Sequence, residues 1–223
     1  MALDLSAGAL ATDSLMALPL FAFIVFLVGY ATRSLYGLMR RVGLRHNVAV
    51  YYNRKLIHMG AGGLAALVVA YYFREPLVPL AFALALALMT YAPHRLGKLM
   101  YWFQVEDNSY EVNFCLAWGI SVFALWLLTG NQRISVVPAL FISFGDAVTG
   151  LVRNALFGRR TKHWIGNVAM AAVAIPVGLH FAGLPGAVAG AISSAIELLE
   201  AKPVDDNVLI AAASSVVLAI WRT

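Results

Sequence analysis

The chain has 223 residues, of which 61% are hydrophobic and 12% charged, with a mean hydropathy of +0.79. A water-facing surface takes about 25% charged residues, so this composition excludes an ordinary soluble enzyme, a disordered chain and a simple nucleic-acid binder. The net charge of +5 then reflects membrane topology rather than a nucleic-acid partner, and a single cysteine, Cys115, excludes a disulfide framework.

A membrane span takes roughly 20 apolar residues. The segment Met1–Ser14 carries Asp4 and Asp13 but no basic residue, so the first apolar run is predicted to be a retained anchor rather than a cleaved signal. In chain order the runs are Leu15–Ala31, Leu56–Phe73, Leu77–Ala92, Val112–Thr129, Ile134–Val152, Ile165–Ala182, Gly186–Leu199 and Val208–Trp221. They predict an all-α, polytopic helical bundle of about eight spans, forming one integral membrane domain over residues 1–223. The last two runs are short, and a count of seven follows if one of them does not cross.

Basic residues orient the chain. Thirteen of the sixteen fall on one side: six between Arg33 and Lys55, then Arg95 and Lys98, then Arg153, Arg159, Arg160 and Lys162, and finally Lys202. Arg74, Arg133 and Arg222 fall on the other. Basic loops stay in the cytoplasm, so eight spans put both termini outside, in the plasma membrane if the source is prokaryotic. The basic segment 33–55 interleaves Leu35, Leu38 and Val42 with its charges. It reads either as an amphipathic helix on the inner membrane surface or as a loop that only fixes topology.

Charges in or at the ends of spans are costly and usually functional. Asp146 is the most informative, lying in the otherwise uncharged run Ala139–Gly150. On a helix, Thr149, Gly150 and Arg153 share its face, so it holds a divalent cation, pairs with Arg153 or makes an interhelical hydrogen bond. Asp205, Asp206 and Asn207 open the last run. One of them is expected to cap the helix, and two adjacent carboxylates suit Mg²⁺ held together with substrate phosphates. Arg159, Arg160 and Lys162 form a basic loop suited to phosphate, with the Gly166 backbone able to approach a ligand closely. Arg54 and His58 lie one turn apart beside Lys55, a grouping suited to substrate or phosphate. Glu111 and Glu197 are span-end acids, either surface groups or part of the site.

Together these residues resemble the polyprenol kinase family of dolichol and phytol kinases. Three signatures carry the resemblance, over residues 54 to 210. The first is Arg54-Lys55-x-x-His58-x-x-x-Gly62. The second is Gly145-Asp146-Ala147, followed by Gly158, basic residues and Lys162-x-x-x-Gly166. The third is Glu197 with Asp205-Asp206-Asn207 and Ile210. The chain departs from the family pattern at Ile165 (glutamate expected), His163 (serine), Arg153 (glycine) and Ala211 (proline), and so is similar to a divergent member.

The resemblance implies a membrane kinase that transfers a phosphoryl group from CTP, or another nucleoside triphosphate, to a long isoprenoid alcohol, with Mg²⁺ or Mn²⁺. It implies Asp146, Asp205 and Asp206 as metal ligands. Lys162, Arg159 and Arg160 would hold donor phosphates, with Arg54, Lys55, His58, Gly166 and Asn207 around the donor and substrate. Glu197 or Glu111 would be the base, and the partners would be the lipid alcohol, the nucleotide and the bilayer. Two other readings fit parts of the pattern. A CTP-dependent cytidylyltransferase acting on a phospholipid would use Lys162-His-Trp164-Ile-Gly166. A secondary transporter would use the acids as intramembrane ion sites.

Overall fold

A computed structural model describes residues 6–158, 161–199 and 205–221. Among these residues every regular element is a helix, and the only β feature is an isolated bridge between Val105 and Asn108. The helices are α1 (Ala7–Arg41), α2 (His46–Tyr72), α3 (Leu77–Arg95), α4 (Tyr110–Thr129), α5 (Gln132–Phe157), α6 (Trp164–Ile196) and the shorter α7 (Asp206–Ile220). The first six are long and apolar enough to cross a membrane.

Local chemistry sets the boundaries. The Ser6 hydroxyl accepts from Ala9 N at 3.2 Å and caps α1, and Arg40 and Arg41 occupy its last turn, where cations favour the helix dipole. The chain then turns at Gly43, whose φ of +88° suits glycine. The basic segment 33–55 is therefore not one surface helix. Its first part is the amphipathic end of α1, and the rest begins α2 after the break. Asn53 Nδ2 joins the two parts by donating to Thr32 O at 2.7 Å.

Helix α6 contains a reversal. At Gly183 the backbone takes φ +64°, ψ −149°, a conformation close to glycine-only. Beyond it the chain runs back along itself. A Cβ on Gly178 would overlap the carbonyl of Gly186, and one on Gly190 would overlap that of Ala174. Residues 164–182 and 184–196 are thus two antiparallel limbs held backbone to backbone by small residues. They correspond to the sixth and seventh apolar runs of the sequence.

Long-range contacts at the two ends of the helices define an up-and-down bundle. At one end His94 meets Glu111, Lys55 meets Asp146 and Arg153 meets Glu197. At the other, Asp13 accepts from the backbone of Arg74 and Glu75, and Tyr71 and Arg133 both meet His180. Helix α5 lies at the centre, with Leu140, Phe141 and Ile142 buried among Val122 and Trp126 of α4, Met170 of α6 and Ile210 of α7. Large apolar side chains face outward on the peripheral helices, for example Leu15, Leu88 and Leu179. Helices apolar all round are the form that lipid, not water, accommodates.

Candidate functional site

Most of these charged residues at the first end converge in a small pocket of about 50 Å³, which Arg54, Lys55, His58, Asp146, Lys162, Glu197, Asp206 and Asn207 all line. Two π-helical turns set the approach. One runs over His58–Gly63 in α2, and the other over Phe141–Gly145, directly before Asp146 in α5. Such turns add a residue to the helix and re-aim the side chains around it, and they are frequent at functional sites. Glycines let the two helices close: a Cβ on Gly62 would overlap Phe114 and Ser143, and one on Gly150 would overlap the Tyr51 hydroxyl and Lys55.

Asp146 is buried and accepts from Lys55 Nζ at 2.5 Å. His58 Nδ1 lies 3.6 Å from the same oxygen, too far for a hydrogen bond, and the His58 ring stacks on Phe114 at 4.0 Å. Arg54 sits over the Tyr110 ring at 4.1 Å.

A second knot surrounds Glu197. Arg153 grips it in a two-pronged fork at 2.7 and 2.8 Å, Lys162 Nζ donates to its Oε1 at 2.8 Å, and Asn167 Nδ2 donates to its Oε2 at 3.2 Å. Lys162 also donates to Glu197 O at 2.6 Å and reaches Asp206 at 3.3 Å. Arg153 is thus the partner of Glu197 and not of Asp146, contrary to the helix-face pairing considered from the sequence. One oxygen from each of Asp146, Glu197 and Asp206 lies within 4.8 Å of the others.

Asp205 has a different position from Asp206. Its Oδ1 caps α7, accepting from Asn207 N at 2.9 Å and from Asn207 Nδ2 at 2.8 Å. Burial and the neighbouring Asp206 push its carboxyl up to about 7. The Oδ1 of Asp205 thus serves the helix terminus, which needs an acceptor for its free N–H groups, while its Oδ2 is buried with no hydrogen-bond partner. A Cβ on Gly166 would overlap Arg153, so this glycine makes room for the guanidinium. Arg159 and Arg160, like Lys202 and Arg222, lie outside the described residues.

Glu111 belongs to a neighbouring space. An apolar cavity of about 280 Å³ lies among α1, α2, α3 and α4, and Glu111 lines it together with Arg54 and His58. Those last two side chains line both spaces. Sequence reasoning missed the groups that hold Glu111 (His94 and Gln104) and those that hold Glu197 (Arg153 and Asn167). The available signal was that each buried acid in an apolar segment needs a donor.

Comparison of the chain with protein-family models, curated proteins and solved structures finds no match.

Proposed function

We propose that this protein is a membrane phosphotransferase that moves the terminal phosphoryl group of a nucleoside triphosphate, CTP by resemblance, to a long-chain isoprenoid alcohol. The observation that carries this reading is the contact between two unlike spaces. A charged pocket and an apolar cavity share Arg54 and His58. A phosphate donor suits the first and a lipid tail the second, so the reacting atoms would meet at the shared wall.

In the step itself the alcohol oxygen attacks the terminal phosphorus and forms the new ester bond. The bond from that phosphorus to the bridging oxygen breaks, the nucleoside diphosphate leaves, and the hydroxyl proton is released. Such transfer depends on positioning and charge neutralisation more than on covalent chemistry. Lys55, Arg54 and Lys162 supply positive charge for the donor phosphates, and Lys162, between Glu197 and Asp206, is held in place by both.

The acid cluster fits a divalent cation in part. Glu197 has both oxygens engaged by Arg153, Lys162 and Asn167, so it orders the cations rather than offering a free ligand. Asp146 and Asp206 remain. Mg²⁺, or Mn²⁺ in its stead, is commonly held by one or two carboxylates with substrate phosphates, and when bound it would neutralise donor charge.

For topology we propose eight passes, counting the two limbs of α6 separately. Both termini then lie outside, and the basic end that carries the pocket faces the cytoplasm and its nucleotides. The test is purified protein with labelled CTP, Mg²⁺ and a panel of prenols. Labelled lipid phosphate with release of CDP is expected. Pyrophosphate release would indicate a cytidylyltransferase, and ion flux in liposomes without nucleotide turnover would indicate a transporter.

A further inference from the structure

The apolar cavity has one acidic residue among its described lining residues, Glu111. Its side chain is nine-tenths buried, and its two oxygens differ. Oε1 is held twice, by His94 Nε2 at 2.5 Å and by Gln104 Nε2 at 2.7 Å. Gln104 is itself fixed, since its Nε2 also donates to Thr90 O and its Oε1 accepts from Met100 N. Oε2 is buried and has no hydrogen-bond partner.

A buried carboxylate oxygen without a donor is unfavourable, and the surroundings offer little help: Phe114, Cys115 and Trp118 follow on the same helix and line the same cavity. The contrast with Glu197 is direct, because both oxygens of Glu197 are engaged. Of the two span-end acids, only Glu111 has an oxygen left to accept from a ligand.

We infer that Glu111 Oε2 is the hydrogen-bond acceptor for the terminal hydroxyl of the alcohol in this cavity, selecting a hydroxyl head over one without a donor. This rests on the reading that the cavity takes the acceptor lipid. His94 and Gln104 are positioning residues, which fix the carboxylate so that the second oxygen stays available. The tail would lie among the apolar side chains, and the hydroxyl would come near Arg54 and His58 on the shared wall.

The experiment is equilibrium binding of tritiated geranylgeraniol to the purified protein in detergent, without nucleotide or divalent cation. Unlabelled geranylgeraniol and geranylgeranyl methyl ether are the competitors. For wild type, the alcohol should compete about tenfold better than the ether, the size of one charge-assisted hydrogen bond. In Glu111→Gln, whose amide also presents a donor, the difference should shrink to within about twofold. Equal competition in the wild-type protein, a comparison that needs no variant to fold, would overturn the proposal. A preference undiminished in Glu111→Gln would do the same. Because no nucleotide is present, the outcomes separate from the phosphotransfer reading. Alcohol selection without transfer supports the Glu111 assignment and counts against the kinase, whereas transfer without alcohol selection does the reverse. Absence of saturable binding overturns the Glu111 proposal.

Discussion

Lys55 of α2 and Asp146 of α5 are 91 positions apart in the chain and meet at 2.5 Å, both buried. Each charge is tolerable in an apolar bundle only because of the other, and removing one partner of such a pair costs about 3–5 kcal/mol. The pair is also where the charged pocket would meet the donor phosphates, so stability and activity should separate on mutation. Asp146→Asn is expected to lower transfer at least about a hundredfold and to lower the melting temperature. The double variant Lys55→Met with Asp146→Leu, which removes both charges, should regain most of that melting temperature and none of the activity. Full activity in Asp146→Asn would remove Asp146 from the site.

Arg153 and Glu197 make the corresponding test in the second knot, where both side chains are nearly inaccessible. Arg153→Met leaves Glu197 buried with Lys162 and Asn167 as its remaining donors. The expected loss is about 3–5 kcal/mol, read by thermal unfolding in detergent. Because Lys162 is held by the same carboxylate, Glu197→Gln should also raise the apparent KM for nucleotide.

Gly183 reverses α6 with a backbone conformation that a side chain strains. The space around it is open, with the nearest foreign atom, Pro185 Cδ, 4.0 Å from where a Cβ would sit. Gly183→Ala should therefore act through backbone strain alone, at a cost of about 1–3 kcal/mol. A melting temperature equal to that of wild type would argue against the tight reversal.

Asp205 gives a pH dependence with a definite sign. Its folded-state carboxyl is raised to about 7 from 3.8, so the folded protein holds a proton that the unfolded chain gives up. That contribution is fully present below about pH 4 and is lost as pH rises to 7. In metal-free buffer, the melting temperature of Asp205→Asn should fall less across this window than that of wild type. Asn preserves the cap, being as good an N-cap residue as Asp.

Much of this arrangement is legible in the sequence because burial punishes charge. Lys55, His58, Asp146 and Glu197 stand out in apolar segments, and they do line one pocket. The apolar runs likewise mark the helices, including the gap after Ala182 in which Gly183 reverses the chain. What the sequence does not carry is pairing. Arg153 and Glu197 are 44 positions apart with no periodicity linking them, and Asp146 finds a cation on another helix rather than the one on its own face. Hydropathy also mislocates ends. Helix α1 runs past its apolar run to Arg41, and α4 begins at Tyr110, so Glu111 enters the first turn, where an acid favours the helix dipole. The division of labour between Asp205 and Asp206 depends on which residue caps, a matter of backbone geometry.

Phosphotransfer is read most directly as label moving from γ-labelled CTP to geranylgeraniol on the purified protein with Mg²⁺, with CDP quantified alongside. One CDP is expected for each lipid phosphate formed, and at least about a hundredfold less of both in Asp146→Asn. No labelled lipid from any prenol, with either CTP or ATP, would contradict the phosphotransfer reading.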